Sequence, residues 1–416
     1  MAQIRLDSKA FCHNLNAIAQ ALKNNIDSTP NPTKQPPKST LKSTAEPTLE
    51  SLAKSSHKST PESTTKSILP QIALVMKDNA YGHGLLQIAQ LAKENDIDCV
   101  FVKNYDEALA LQGIFSHITI LYGEAPLDCP SNIYRSIASL ESLKKLEKDL
   151  QDFTKKNCKS LPLGIELKCN IGMNRNGIQK GDLDKAFEIL ARLIREGKIR
   201  FIGVFAHNGY GDNGGEEALD FAKSQANFYE IKRQVRDFCN TLQIYLPRFH
   251  SLSTTGALRN KTQKSSLEKC ELELCDTIVR IGIGAYGYHT AEIPLEIHLK
   301  PVLSLWASKI TTQNLRKGDK IGYGGVSVVG KDSAFSTYDV GYGDGLFRLG
   351  KDMPKLHCAS GEEILPVMSM DCFSCESERE EICVFSDVGE FAQVFGTIPY
   401  VILTHLSPFI PRVIVR

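Results

Sequence analysis

No run of apolar residues in this chain approaches the length of a membrane-spanning helix, which removes helical membrane proteins from consideration. An excess charge of one sign is missing too: 49 basic residues face 48 acidic ones, a formal net charge of +1. Without a global field, nucleic acid and anionic membranes are not the expected partners. The opening MAQIRLDSKAFCHNLNAIAQAL lacks the apolar core of a secretory signal, so the cytoplasm is the expected compartment. Cysteine is present but lacks a framework. Its 12 copies are scattered over 416 residues, as reduced thiols of a cytosolic enzyme would be. Only Cys372 and Cys375 form a CxxC pair, with Cys358 and Cys383 the nearest further ligand candidates. A lone pair is a weak zinc signal, and no metal is expected.

Aromatic residues are absent from one stretch, about 27–67, which is rich in Ser, Thr, Pro and Lys and repeats Lys-Ser-Thr at Lys38, Lys42 and Lys58. Such a segment cannot bury enough surface to offset its ordering entropy, so a disordered surface insert is expected. What remains is rich in pattern. Hydrophobic residues make up 42% of the chain and charged residues 23%, as in a soluble globular protein. Short β-branched runs at 72–77, 99–103, 118–122, 133–137, 163–168, 201–207, 245–251 and 277–283 read as strands. Amphipathic runs at 84–94, 140–153, 182–195 and 216–239 read as helices. Eight alternating units suggest an α/β fold, a (β/α)8 TIM barrel. A doubly wound sheet is the alternative, but no Gly-x-Gly-x-x-Gly turn follows the first strand. From 288 to 416 glycine-punctuated apolar runs predict a C-terminal all-β domain. Residues 1–7 read as a strand that pairs with it, leaving 8–287 for the barrel.

In a barrel the reacting groups sit where strands end. The first barrel strand runs into ALVMKDNAYGHG, placing Lys77 there with Tyr81 close behind. A desolvated strand-end lysine is a nucleophile for a carbonyl, and Tyr81 could reach a phosphate. Taken alone, a strand-end lysine is more often a surface cation whose stem covers apolar area.

KDNAYGHG resembles the lysine motif of the alanine racemases, and the resemblance extends over nearly the whole chain outside the low-complexity segment. It implies a pyridoxal 5'-phosphate (PLP) enzyme that interconverts L- and D-alanine, with Lys77 carrying the cofactor. Tyr323, in DKIGYGG, matches the family's second base. Racemisation removes a proton from one face of a carbon and delivers one to the other, so one group per face suffices. In the family the lysine handles the D-isomer's proton and the tyrosine the L-isomer's. The tyrosine comes from the second subunit, which implies a homodimer with active sites at the interface.

LKCNIGMNRNGI resembles a family block in which Arg175 reaches the cofactor's phenolic oxygen and the substrate carboxylate. Lys168 matches a lysine carbamylated in many relatives, although Asn170 and Ile171 replace the usual Asp-Thr. Arg280, in VRIGIGAYG, matches the arginine that faces the pyridine nitrogen. A permanently protonated arginine keeps a proton off that nitrogen, whereas aminotransferases place a carboxylate there. Tyr81, Thr254, the backbone of Gly282 and Ile283, and Tyr400 match the phosphate site. Ser253 departs from the family's Asn. His207 and His250 match strand-end histidines, and each is equally readable as a hydrogen-bonded core residue. VMSMDCF places Met370, whose backbone would bind the substrate carboxylate, and Asp371, which would support Arg175. Asp78 stands where the family has alanine; on a strand it would point away from Lys77. D-alanine for peptidoglycan is the role implied. A PLP decarboxylase of the same barrel and a PLP-binding homeostasis protein are the rival readings; Arg280 and Tyr323 weigh against them.

Overall fold

The computed structural model describes residues 1–27, 69–156, 162–215, 218–260 and 272–416. The expected insert at about 27–67 lies outside the described residues, apart from Asp27 at the end of the first helix.

Strand β1 is Gln3–Asp7. Eight strands follow and form one sheet: β2 (Gln71–Val75), β3 (Cys99–Val102), β4 (His117–Ile120), β5 (Ile133–Ile137), β6 (Leu163–Lys168), β7 (Ile199–Phe205), β8 (Arg248–His250) and β9 (Ile278–Ile281). All neighbours are parallel, in the order β8-β7-β6-β5-β4-β3-β2-β9. The two ends of this order meet through Thr277 N–H to Phe249 O (2.9 Å) and Arg280 N–H to Leu252 O (3.1 Å), so the barrel is nearly closed. β3 and β6 are buried at every position; β3 accordingly reads as a continuous apolar run, whereas β6 carries Glu166 and Lys168 within its apolar residues. Helices cover the outside. Leu183–Arg195 turns Leu183, Ala186, Phe187, Leu190 and Leu193 inward, a three-to-four spacing that lays one apolar stripe on the barrel.

β8 is shorter than the sequence pattern suggested. Pro247 has no N–H for a ladder and Tyr245 is almost fully exposed, so pairing begins only at Arg248.

The second unit is built on the long strand β10 (Leu303–Leu315). A short hairpin follows, β11 (Lys320–Ile321) with β12 (Ser327–Val328), then β13 (Ser333–Tyr338), β14 (Phe373–Glu376), β15 (Glu381–Phe385) and β16 (Arg412–Val415). The sheet order is β14-β13-β10-β1-β16, with β15 also on β10. The N-terminal strand therefore lies between β10 and β16, inside the C-terminal sheet. The unit is strand-rich and also carries two short helices, Gly389–Val394 and Pro399–His405. The second of these packs on the first barrel turn: a Cβ on Gly82 would meet Leu403 O at 2.0 Å. No helix among the described residues is long and apolar enough to cross a membrane.

Candidate active site

The first barrel strand stops at Val75, and Lys77 opens a turn rather than ending the strand. Asp78, Asn79, Ala80 and Tyr81 all have positive φ (54°, 54°, 52° and 54°), one turn of left-handed helix without a glycine inside it. Each such residue costs about 1–2 kcal/mol, somewhat less for Asp and Asn. Strain of this size persists only where surrounding structure imposes it, and it concentrates at functional sites. The turn corrects the expectation for Asp78. Its neighbour relation to Lys77 is that of a left-handed helix, and its carboxylate pairs with Lys103 Nζ at 2.6 Å, at the surface.

Above the strand ends lies a cavity of about 210 Å³. Its walls bring together Lys77, Tyr81, Lys168, Arg175, His207, Thr254, Arg280, Gly282, Ile283 and Tyr400, all of them expected site residues. Four cations and one carboxylate, Asp212, make it a site for an anion. Lys168 is buried, and burial together with Arg175, Arg280 and Lys77 pushes its amine down to about 8. Burial, then Arg280 and Arg175, pushes the His207 imidazole down to about 3, so it is neutral at ordinary pH.

One end of the cavity is a cradle of neutral donors. A Cβ on Gly282 would lie 2.6 Å from the Tyr81 hydroxyl, so only glycine lets that hydroxyl approach the backbone. Thr254 Oγ1 accepts from Gly282 N (3.3 Å) and Gly284 N (3.4 Å), which leaves its own proton to donate. The Tyr400 ring stands 5.9 Å from that of Tyr81, and burial pushes its hydroxyl up to about 12. Neutral hydroxyls over backbone amides suit a phosphate.

Beneath the cavity the barrel interior is charged. Arg280 is buried; its Nη1 donates to His250 Nδ1 and to His250 O (3.1 Å), and its Nη2 to Ala206 O (2.7 Å) and Ser251 O (3.4 Å). Both terminal nitrogens are thereby engaged and the Nε–H lies outside these bonds. Burial lowers Arg280 to about 10, still protonated at neutral pH. Arginine only donates, so His250 Nδ1 must accept and Nε2 must carry the proton. That proton goes to Glu166 Oε2 at 2.9 Å. The other Glu166 oxygen accepts from Arg248 and from Thr119 Oγ1 (3.0 Å). Burial opposes ionisation of Glu166, but Arg248 and His250 hold its carboxyl well below the usual range. His250 thus lies under the cavity and not in its wall.

Glu166 was missed by sequence reasoning, although a signal existed. It stands two residues before Lys168 on a strand, hence on the same face, and an acid in an otherwise apolar buried strand needs a partner. Gly203 on the neighbouring strand makes room for it; a Cβ there would lie 3.1 Å from the glutamate side chain.

Tyr323, Met370 and Asp371 are not in the cavity wall. Tyr323 caps the β11–β12 hairpin in a Gly-Tyr-Gly-Gly turn whose three glycines have positive φ, and it is 62% exposed. Met370 and Asp371 are exposed beside Gly341 and Gly343, with Met370 O accepting from Gly343 N at 2.8 Å. Among the described residues no three His, Cys, Asp or Glu side chains converge as a metal site. A larger cavity, about 400 Å³, lies elsewhere, but its lysine, Lys232, is engaged by Asp276 (2.6 Å) and Leu274 O (2.7 Å).

Comparison with known proteins follows this geometry. Residues 63–290 match the family model described as alanine racemase, N-terminal domain, and residues 302–414 the one described as alanine racemase, C-terminal domain. The alanine racemase of Campylobacter concisus is 37% identical over 341 residues, covering 82% of this chain and 91% of that protein. Among solved structures, the alanine racemase of Bacillus anthracis with bound L-Ala-P aligns with a TM-score of 0.73 at 22% identity, covering 100% of this chain and 95% of that one. The histidine racemase of Leuconostoc mesenteroides aligns with a TM-score of 0.72 at 20% identity, covering 100% and 98%. At these identities the structural likeness speaks for the fold.

Proposed function

The chain belongs to the alanine racemase family and is an amino-acid racemase; we propose that its substrate is alanine, its cofactor PLP on Lys77, and its acid–base pair Lys77 and the Tyr323 of a second copy. One observation carries this reading. Lys77 and the buried Arg280, whose bonds among the described residues are to uncharged acceptors, share a cavity that ends in a cradle of hydroxyls and amides. The residues fit the group: an amine for the aldehyde, hydroxyls and amides for the phosphate, and an arginine for the ring nitrogen.

When bound, PLP supplies an electron-accepting ring that acidifies the substrate's α-hydrogen. The Arg280 Nε–H would be left to donate to the ring nitrogen, and the fixed charge of the guanidinium would keep that nitrogen unprotonated. The chain thereby moderates the ring's pull, which suits proton return to the same carbon and disfavours transamination. Tyr81, the Thr254 hydroxyl that the Gly282 amide bonds, the Ile283 amide and Tyr400 would hold the phosphate. Arg175 would donate to the phenolic oxygen and to the substrate carboxylate, and the Met370 backbone of a second copy would complete the carboxylate site, with Asp371 supporting Arg175 from across the interface. His207 stays neutral beside Arg280. For L-alanine, Tyr323 Oη would take the α-proton from one face and Lys77 Nζ would return one to the other; D-alanine would run in reverse. Tyr400 and Ile283 narrow the space for a side chain, which favours a methyl group.

The exposure of Tyr323 on a single chain supports an interface site, because a base must be covered to act selectively. The product, D-alanine, fits a supply role for peptidoglycan. Lys168 supports a further assignment. Its lowered amine among three cations is suited to form a carbamate, which exchanges a positive for a negative charge and gives Arg175 an acceptor.

The test is α-proton exchange in deuterium oxide. With PLP, the parent is expected to wash deuterium into both isomers of alanine. Tyr323→Phe should lose exchange from L-alanine by about 10²–10⁴-fold while D-alanine still exchanges through Lys77. Equal loss for both isomers, or carbon dioxide release instead of exchange, overturns the assignment.

A further inference from the structure

The left-handed turn after Lys77 makes backbone bonds of its own, Ala80 N to Met76 O (2.9 Å) and Gly82 N to Asp78 O (3.1 Å), and side chains from outside it add further ones. Glu107 is the third residue of the helix Tyr105–Leu111, whose cap is Asn104. An acid at that position ordinarily reaches back to the cap amide of its own helix. Here it does not. One carboxylate oxygen accepts from Lys103 N at 2.7 Å, and the other crosses to the neighbouring strand exit and accepts from Asn79 N at 3.0 Å, inside the left-handed turn. The amide it takes belongs to the middle of four consecutive positive-φ residues. The remaining contacts of the turn complete a frame: Asn79 Oδ1 accepts from Leu85 N (2.8 Å), and Arg412 of the last strand donates to Gly82 O (3.0 and 3.2 Å).

We propose that Glu107 is a positioning residue of the active site: its carboxylate ties the left-handed turn to the second barrel strand and so aims Lys77 and Tyr81 into the cavity. A carboxylate is suited to this because it only accepts, through two oxygens, and bonds to an ionised acceptor are the stronger ones. Glutamine keeps one acceptor and turns its NH2 toward the other amide, so it retains half of the clamp. The proposal rests on the assignment of Lys77 as the cofactor lysine.

The test uses full-length Glu107→Ala and Glu107→Gln with Asp106→Ala as control, since Asp106 is an exposed acid in the same helical turn. Two quantities are read: the PLP dissociation constant by fluorescence titration, and amide exchange by mass spectrometry. Glu107→Ala is expected to weaken PLP binding by about tenfold or more, with a smaller loss in Glu107→Gln and none in Asp106→Ala. Exchange should quicken in the peptide holding Asn79 while the peptide of β6 keeps its protection. PLP affinity within about twofold of the parent in Glu107→Ala overturns the proposal, because the two charged bonds would then do nothing for the site. Exchange rising evenly across the barrel also overturns it, because Glu107 would then serve general stability. If Glu107→Ala does not fold, Glu107→Gln is judged by the same two readouts. A parent that fails to bind PLP removes the functional reading; a parent that binds with an indifferent Glu107→Ala removes this one alone.

Discussion

Replacing Glu166 by glutamine tests the charged interior of the barrel. The parent carboxylate accepts three bonds, from Arg248, Thr119 and His250, with no exposed surface. An amide of the same shape cannot repeat them. If its oxygen stays on Arg248, its NH2 donates to His250 Nε2, the imidazole proton moves to Nδ1, and that proton meets the Arg280 donor. If the amide flips, its NH2 meets Arg248 instead. Either arrangement sets two donors against each other in a dry site and leaves a buried guanidinium uncompensated, a loss of about 3–5 kcal/mol. Urea unfolding of the PLP-free protein measures it. The double variant Glu166→Gln/Arg248→Met removes the stranded charge, so it should be more stable than the sum of the single losses by about 0.5–3 kcal/mol. The pH dependence adds a sign. The folded carboxyl of Glu166 lies below its unfolded value, so its contribution is present above about pH 4.3 and lost as the pH falls through the folded value. The gap between parent and Glu166→Gln should therefore hold at neutral pH and narrow in acid. A Glu166→Gln variant within about 0.5 kcal/mol of the parent, or strict additivity in the double variant, refutes the argument.

Two further outcomes follow from buried bases. Burial is the largest cause that pushes His83, His117 and His250 down to about 4 and His207 to about 3. Unfolded histidines titrate near 6.5, so the unfolded chain binds more protons below that value, and stability should be full above about pH 6.5 and fall steadily toward pH 4. Urea midpoints that are flat across this window contradict the burial of these rings as neutral bases. For Lys168, [13C]bicarbonate is expected to give a carbamate carbonyl resonance that is missing in Lys168→Arg. A signal that survives the substitution, or no signal in the parent, ends the carbamate assignment.

The parts of this molecule that were legible in its sequence are those whose cause is local. β5 and β6 begin and end where their runs do, because burial on both faces of a parallel strand keeps apolar residues at most positions, with Arg135, Glu166 and Lys168 as the buried exceptions. Lys77, Arg175 and Arg280 were found because each sits in a short motif at a strand exit, and the cavity gathers them. What escaped has its cause elsewhere in the chain. Asp-Asn-Ala-Tyr carries no glycine to announce a left-handed turn, and one partner of the turn, Glu107, which accepts from the Asn79 amide, lies 28 residues further on. Glu166 looked like a misplaced acid because its partners, Arg248 and His250, arrive 82 and 84 residues later. Tyr323 is a different case. Its glycines are legible as a turn, and the turn is there, yet a single chain leaves the ring exposed and outside the cavity wall. The proposed role of Tyr323 as a base therefore depends on a second chain to cover the ring. The strained turn, the buried acid and the exposed tyrosine share one feature: each departs from the local rules of sequence and structure, and the first two lie in or directly beneath the candidate cavity.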